Sequence, residues 1–532
     1  MKEKYLKTIF IIFVTILTLI GVYSTVIKRD KETFATSKIK SNNNKLISND
    51  IRIGLIEFDN INPILSNNKN VQDISRLIFD SLFTLTIDYK LEGRLAKEWS
   101  KISDKTYIIK LDENILWHDG NKFDSSDVIF TINMLKELKE ESIYYHNIKN
   151  IAQVKEIDEY TIKIITDSDI PYFEYNLIFP IISSKYFNKQ NLKLESKNIK
   201  PVGTGMFYIS DISNENILLK KNVKNLKAQN LKIETITLNL YDSLSNAIQA
   251  FKLEKIDVFT SSNKNIEEYL KNTNYNITRY INRNYNYLAL NCNNEILANK
   301  EVRQAIAYAI NKQDILKKIL NDKYEISNFT LDFGSFSYDI GNSIIKYDTN
   351  KAKKLLLDNE WKYSKEGWKK EINNANLNIK LDIIVNKNDT NNIQVANKIK
   401  EQLSLIGIIL NIKEVNEKEY NSYLKNKNYD LIIVNSTYGY SPSLEKYFGE
   451  NNLSNYTNKE INSLLKETEF LNNEIKQNYT RINEIYNEEV PYISLYYDTN
   501  VFIYSPNLKG TITPNSYNLF YGIENWYREY EK

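Results

Sequence analysis

Two hydrophobic rhythms alternate along most of this chain, and each predicts an element. Short apolar-rich runs mark IRIGLIEF (51–58), TYIIKL (106–111), EYTIKIIT (159–166) and the late YISLYYDTNVFIYSP (492–506) as strands. A period near 3.6 marks VQDISRLIFDSLF (71–83), with Val71, Ile74, Ile78 and Leu82 on one stripe. The same period predicts one helix over 299–320, capped by Asn299 and buried through Val302, Ala305, Ile306 and Ala309. Asp348 is placed to cap another, with Ala352, Leu355 and Leu356 inward. A long helical region, Lys459 to Glu488, carries Ile461, Leu464, Leu465, Leu471, Ile475 and Ile482 before Pro491 stops it. Strands interleaved with helices predict mixed α/β lobes.

One stretch, KLDENILWHDGNKFDSSDVIFTINML (110–135), joins a strand to a helix and holds His118, one of two histidines. Asp119-Gly120 reads as a turn, Asp124 as a helix cap, and Asp127 completes capping-box spacing ahead of Val128, Ile132 and Leu135. Trp117 then reads as packing before ligand stacking. The paired Gly203 and Gly205 lack a following GK[ST], so they read as a tight turn and not a phosphate cradle.

Bulk properties narrow the chemistry. At 532 residues the chain exceeds what one core fills. Lys and Arg number 70 against 67 Asp and Glu, too balanced for a nucleic-acid partner. Cys292 stands alone, which excludes an internal disulfide, and two histidines leave a nitrogen- or sulfur-rich metal site almost unbuildable. No G-x-S-x-G elbow accompanies His118 or His146, so nucleophilic hydrolysis lacks its base. Paired carboxylates, as in a membrane-anchored carbohydrate hydrolase, stay open, because their separation in space is not readable from sequence.

The amino terminus adds a location. Three lysines within Met1–Lys7 precede Thr8–Ile27, twenty residues without a charge. As a helix that run reaches about 30 Å, one hydrocarbon thickness. Residues 1–27 are therefore expected to form a retained transmembrane anchor, with 28–50 a polar tether. The only small-residue cut site, around Ser24, is poor, and no cysteine follows the apolar run to accept a lipid.

Read in order, the segments resemble a known family. NPILSNNKNVQDISRLIFDSL is similar to an opening Asp-Pro, a helix and Phe-Glu-Gly-Leu, with Asn62 in place of the aspartate. Leu111, Trp117, Asp119, Gly120, Asp127 and Val128 match L…W-x-D-G…D-V; His118 falls at its variable position. PVGTGMFYI resembles Gly-Thr-Gly-Pro-Tyr up to the second glycine. AIQAFKLEKIDVF is similar to a Gly-Glu-Ile-Asp segment, with Glu254 at the glycine, and Val302, Arg303, Ala305, Ala309 and Ile315 match a Val-Arg-x-Ala helix. Together they resemble the extracytoplasmic solute-binding proteins of the oligopeptide, dipeptide and nickel class (family 5) that serve ABC importers.

That resemblance implies an α/β, two-lobed periplasmic-binding-protein-like fold (type II, class C) of mixed sheets with flanking helices. The implied boundaries are 51–284 for the first lobe, 285–490 for the second and 491–532 for a return segment. It implies a receptor and no enzyme, with no cofactor or metal, that closes on a peptide or small molecule and passes it to permease and ATPase subunits. The membrane is reached through the amino-terminal helix, and the receptor is a monomer. Ligand contacts are implied for Asn67, Asn68 and Lys69, and for Asn435, Tyr438, Gly439 and Tyr440 in the loop NSTYGYSP. Peptide binders of the family place an aspartate in that loop for the ligand's ammonium. Here Tyr438 or Gly439 stands there, and Glu445 is the acid that could substitute.

Overall fold

The computed structural model describes residues 45–187, 200–331, 335–337, 345–372, 375–437, 439–468 and 475–531. Two compact units divide the chain: the smaller includes the strand Lys45–Ser48, and the larger is Asn49–Arg528.

The centre of the larger unit is a mixed sheet with eleven strands among the described residues. From one edge the order is Ile409–Val415, Lys380–Asn386, Leu431–Thr437, Asn276–Leu290 and Tyr492–Tyr504. It continues through Val258–Ser261, Asp50–Ile56, Thr235–Tyr241, Asn216–Lys221 and Phe207–Ile212, with Glu325–Ile326 paired to the 492–504 strand off this path. The two longest strands sit in the middle and run antiparallel. Residues 284–290 of the first pair with 431–437, while residues 501–504 of the second pair with 258–261. Parallel pairs lie on either side: 50–56 with 235–241, and 380–386 with 409–415. The strand expected at 492–506 is Tyr492–Tyr504, buried on both faces, as a central position requires.

Apolar faces collect on both sides of the middle. Ile51, Ile53 and Leu55 pack with Val71, Ile74 and Leu77 of the helix Lys69–Ile78. Leu288 and Leu290 pack with Val302, Ala305, Ile306, Ala352 and Leu356. A separate antiparallel sheet, in the order Ala96–Ser103, Thr106–Leu111, Thr161–Thr166 and Ile151–Asp158, packs Ile109, Leu111, Ile162 and Ile164 with Val128, Ile132 and Leu135 of the helix Ser125–Leu138.

The family-like motifs are architecture. Asp124 and Asp127 form a capping box, and Asp127 Oδ2 also accepts from Trp117 Nε1 at 2.9 Å, which explains the W-x-D-G…D spacing. His118 accepts from the Gly203 N–H at Nδ1 (3.1 Å), and its Nε2 lies 3.1 Å from the Gly205 carbonyl; an oxygen can only accept, so the proton sits on Nε2. Asp257 takes Arg52 N, Nε and Nη2 at 2.8, 3.1 and 2.8 Å and lies 3.3 Å from Arg528 Nε. Arg303, 3% exposed, donates to the carbonyls of Leu297, Ala298, Glu489 and Val490, tying the chain that follows one central strand to the chain that precedes the other.

Several expectations shift. The 71–83 stripe ends as a helix at Ile78; Leu82 is buried beyond it, because the Gly205 N–H caps the Ile78 carbonyl and Asp80 turns to Arg94 and Thr204. The single helix over 299–320 is two, Lys300–Ala309 and Lys312–Lys318, since Asn311 accepts from Asp314 N and starts a new one. Asn299 occupies the cap position without capping; its Nδ2 donates back to the Glu295 and Ile296 carbonyls. The Asp348 cap forms as expected. The region from Lys459 is described as Lys459–Glu467 and Ile475–Glu489, and Leu471 lies outside the described residues. Among the described residues no helix is long and apolar enough to cross a membrane; the anchor expected at 1–27 lies outside them.

Candidate ligand-binding site

The two central strands lose register at two places, between Ile281 and Tyr285 and again between Asn286 and Tyr287, and the first is the larger. Ile281 pairs with Thr499 and Tyr285 with Tyr497, so Asn282, Arg283 and Asn284 together face only Asp498. Such a bulge re-aims side chains. Asn282 Nδ2 donates to Asp498 Oδ2 at 2.9 Å and Asn500 Oδ1 at 3.1 Å. Arg283 takes φ of 75°, a left-handed conformation that a non-glycine residue holds only when its surroundings over-determine it.

Those surroundings are aromatic. The Arg283 guanidinium lies 5.1 Å from the Tyr89 ring centroid and 4.8 Å from that of Tyr440, and it donates to the Gly439 carbonyl. The Tyr89 and Tyr440 rings stack with centroids 6.1 Å apart. Tyr440 O–H donates to the Ser516 carbonyl at 2.6 Å, and its ring meets Tyr517 edge-on at 5.2 Å. Arg76 in turn lies 4.5 Å from the Tyr517 centroid and 3.7 Å from the buried Asp73. A cation–aromatic chain thus runs from the helix 69–78, through the return segment, to the bulge. Burial pushes the Tyr440 hydroxyl up to about 12 against the opposing pull of Arg76 and Arg283, so it stays a neutral donor.

Beside this chain lies a cavity of about 330 Å³ lined by Thr437, Gly439, Ser441, Ser443, Glu445 and Lys446, among others. Lys446 Nζ holds the Ser436 hydroxyl and the Thr437 carbonyl, and burial lowers its pKa. The cavity therefore offers hydroxyls, one carboxylate and one committed ammonium. Among the described residues no cluster of three histidine, cysteine or acidic side chains could hold a metal ion.

Of the residues singled out in the sequence, Gly439 and Tyr440 join the Arg283 assembly. Tyr438 lies outside the described residues. Asn435 is exposed and pairs with Asn286 across the ladder, apart from the cation–aromatic chain. Asn68 caps the helix 69–78, with Oδ1 accepting from Asn70 and Val71 and Nδ2 donating to the Ile56 and Glu57 carbonyls. Lys69 pairs with Asp73, which links it to Arg76, while the exposed Asn67 donates its N–H to Asp59. Sequence reasoning missed Arg283, Tyr89, Arg76 and Tyr517. A signal existed for the first: Asn282-Arg283-Asn284 is a polar triplet inside an otherwise strand-like run.

Known proteins share this architecture. The family model of bacterial extracellular solute-binding proteins, family 5 (middle), matches residues 90–457. The oligopeptide-binding protein AppA of Bacillus subtilis (strain 168) is 23% identical over 550 residues, covering 97% of this chain and 98% of that protein. Among solved structures, the unliganded open form of the periplasmic murein tripeptide binding protein MppA superposes with a TM-score of 0.78 at 17% identity, over 92% of this chain and 99% of that one. HbpA2 from Haemophilus parasuis superposes with a TM-score of 0.75 at 19% identity, over 89% and 99%. These likenesses give the two-lobed periplasmic-binding-protein fold. The match over most of its length makes this chain a member of the bacterial extracellular solute-binding proteins, family 5, which are substrate receptors of ABC importers and not enzymes.

Proposed function

We propose that this chain is a peptide receptor on the outer face of a cell membrane, and that it delivers its ligand to an ABC permease and ATPase by closing two lobes. The observation that carries the reading is the bulge at 282–284, where Arg283 is clasped by Gly439 and Tyr440 of one loop and by the stacked ring of Tyr89. The register break supports a lobe boundary near 284/285, and the family resemblance puts the second at 490/491, with 491–532 returning to the first lobe. Residues 1–27 anchor the receptor, 28–50 tether it, and it works as a monomer. Peptide is favoured by the names of its relatives, which include oligopeptide- and dipeptide-binding proteins.

In this reading Tyr440 and Gly439 form the ligand's floor, Asn435 and Tyr438 its second-lobe wall, and Asn67 and Lys69 its first-lobe wall, positioned by the Asn68 cap. Extended peptide is held by main-chain hydrogen bonds, with water filling the side-chain pockets. Glu445 lines the Gly439 cavity and supplies the carboxylate that the loop itself lacks. Thermal unfolding of the full chain against a peptide library tests this. A peptide at ~100 times its Kd stabilises by roughly 2.7 kcal/mol. Stabilisation by no peptide, with release of reducing sugar from a polysaccharide, would replace the reading with a hydrolase.

A further inference from the structure

The strand Tyr492–Tyr504 also changes neighbours on the flank away from the bulge. There residues 501–504 pair with 258–261, whereas 496–497 pair with 325–326. One edge is thus handed from a strand of the proposed first lobe to a strand of the proposed second, with residues 498–500 facing the handover. Side chains just beyond the two strand ends bridge it. Lys264 Nζ lies 2.5 Å from Asp498 Oδ1, donates to the Thr499 carbonyl and stands 5.2 Å from the Tyr324 ring centroid. In the other direction Lys323 Nζ donates to Asn265 Oδ1, and the Lys323 carbonyl accepts from Thr499 Oγ1 at 2.6 Å. Tyr324 is held edge-on to Tyr496 at 5.3 Å, and its hydroxyl accepts from Asn391 Nδ2 at 2.8 Å.

We infer that Lys264, Asn265, Lys323 and Tyr324 form a clasp behind the hinge that holds the two lobes apart, so that closure on a ligand has to undo it. The inference rests on the closure proposed above. Position sets its sign. Tyr324 packs with Tyr496 in the core on one face of the sheet, whereas Tyr89 and Tyr440 pack with Tyr285 and Tyr497 on the other. Lobes that draw together over Tyr440 therefore draw apart over Tyr324, and the Lys264–Tyr324 and Lys323–Asn265 contacts are the ones stretched. Both contacts are short-ranged: a cation gains from a ring face only within about 6 Å of its centroid, and a hydrogen bond reaches only to about 3.2 Å. Lys264 is fixed to Asp498 within the first lobe and its return segment, so its ammonium cannot follow Tyr324. Asp498 also accepts from Asn282 in the bulge, which joins the clasp to the pivot. No member of the clasp is a residue assigned to the ligand. It acts on affinity through the balance of open and closed forms alone.

Small-angle scattering of the full chain without added peptide tests this. Lys264→Met and Tyr324→Leu should each give a smaller radius of gyration than the parent, and the double variant no smaller than either alone, since both remove one contact. Lys323→Gln, which leaves that contact in place, should shift the radius in the same direction. Isothermal titration with trialanine should show about threefold tighter binding in Tyr324→Leu, the size expected from releasing one exposed cation–ring contact. A side chain that served folding alone would instead lower the melting temperature and weaken binding. An unchanged or larger radius of gyration in either Lys264→Met or Tyr324→Leu would overturn the inference, and so would weaker trialanine binding. Absence of trialanine binding in every chain would count against the peptide reading, while scattering would still decide the clasp.

Discussion

Single side chains here carry more than their size suggests. Asp257 neutralises two arginines from separate parts of the chain and is 2% exposed. Asp257→Ala leaves Arg52 and Arg528 facing each other, and chemical denaturation is expected to show a loss of about 3–5 kcal/mol. His118 makes a different prediction. Burial lowers its pKa from 6.5, with the Gly205 carbonyl and the charges of Asp80 and Asp119 pulling weakly the other way. The unfolded chain then binds the proton first, so stability is constant above about pH 6.5 and falls as the pH drops from there toward the folded-state pKa. A protonated Nδ1 would confront the Gly203 N–H that now donates to it. In His118→Gln, melting curves between pH 7 and pH 5 should lose that component of their slope; an unchanged slope would assign it elsewhere.

At the scale of elements, the Gly203–Gly205 turn, expected as a tight turn, also closes a helix. A Cβ on Gly203 would sit 1.9 Å from the Ile78 carbonyl oxygen, and one on Gly205 2.5 Å from that of Leu77. Gly203→Ala and Gly205→Ala are each expected to lower the melting temperature, by a cost of about 1–3 kcal/mol typical of overpacking, without changing ligand preference. The sequence made much of this level legible: the capping box at Asp124, the cap at Asp348 and the strands at 51–58, 106–111 and 159–166 follow from local chemistry alone. It was least legible where distant chain decides. Ile78 ends its helix because a glycine far along the chain reaches its carbonyl, and periodicity through Leu82 cannot report that. Asn311 outcompeted the continuous stripe at 299–320 by offering a second cap. Tyr89, Arg76 and Tyr517 meet around Arg283 and Tyr440 only through the fold, so no spacing linked them beforehand.

For the whole molecule, the proposed closure places rotation at the bulge. Small-angle scattering of the full chain should show a smaller radius of gyration with a bound peptide than without, and Arg283→Ala should change the balance between the two states. Identical profiles in both conditions would argue against closure. The continuous ladder through both halves has a mechanical corollary. Asn284 keeps its partner Thr437 and the central pair resumes at Tyr285–Tyr497, so the proposed turning falls where the two long strands already lack pairing. In the proposed closure the movement falls on three residues opposite Asp498, and a receptor so built resembles a folded card whose crease is stitched: it flexes repeatedly, yet the two leaves never come apart.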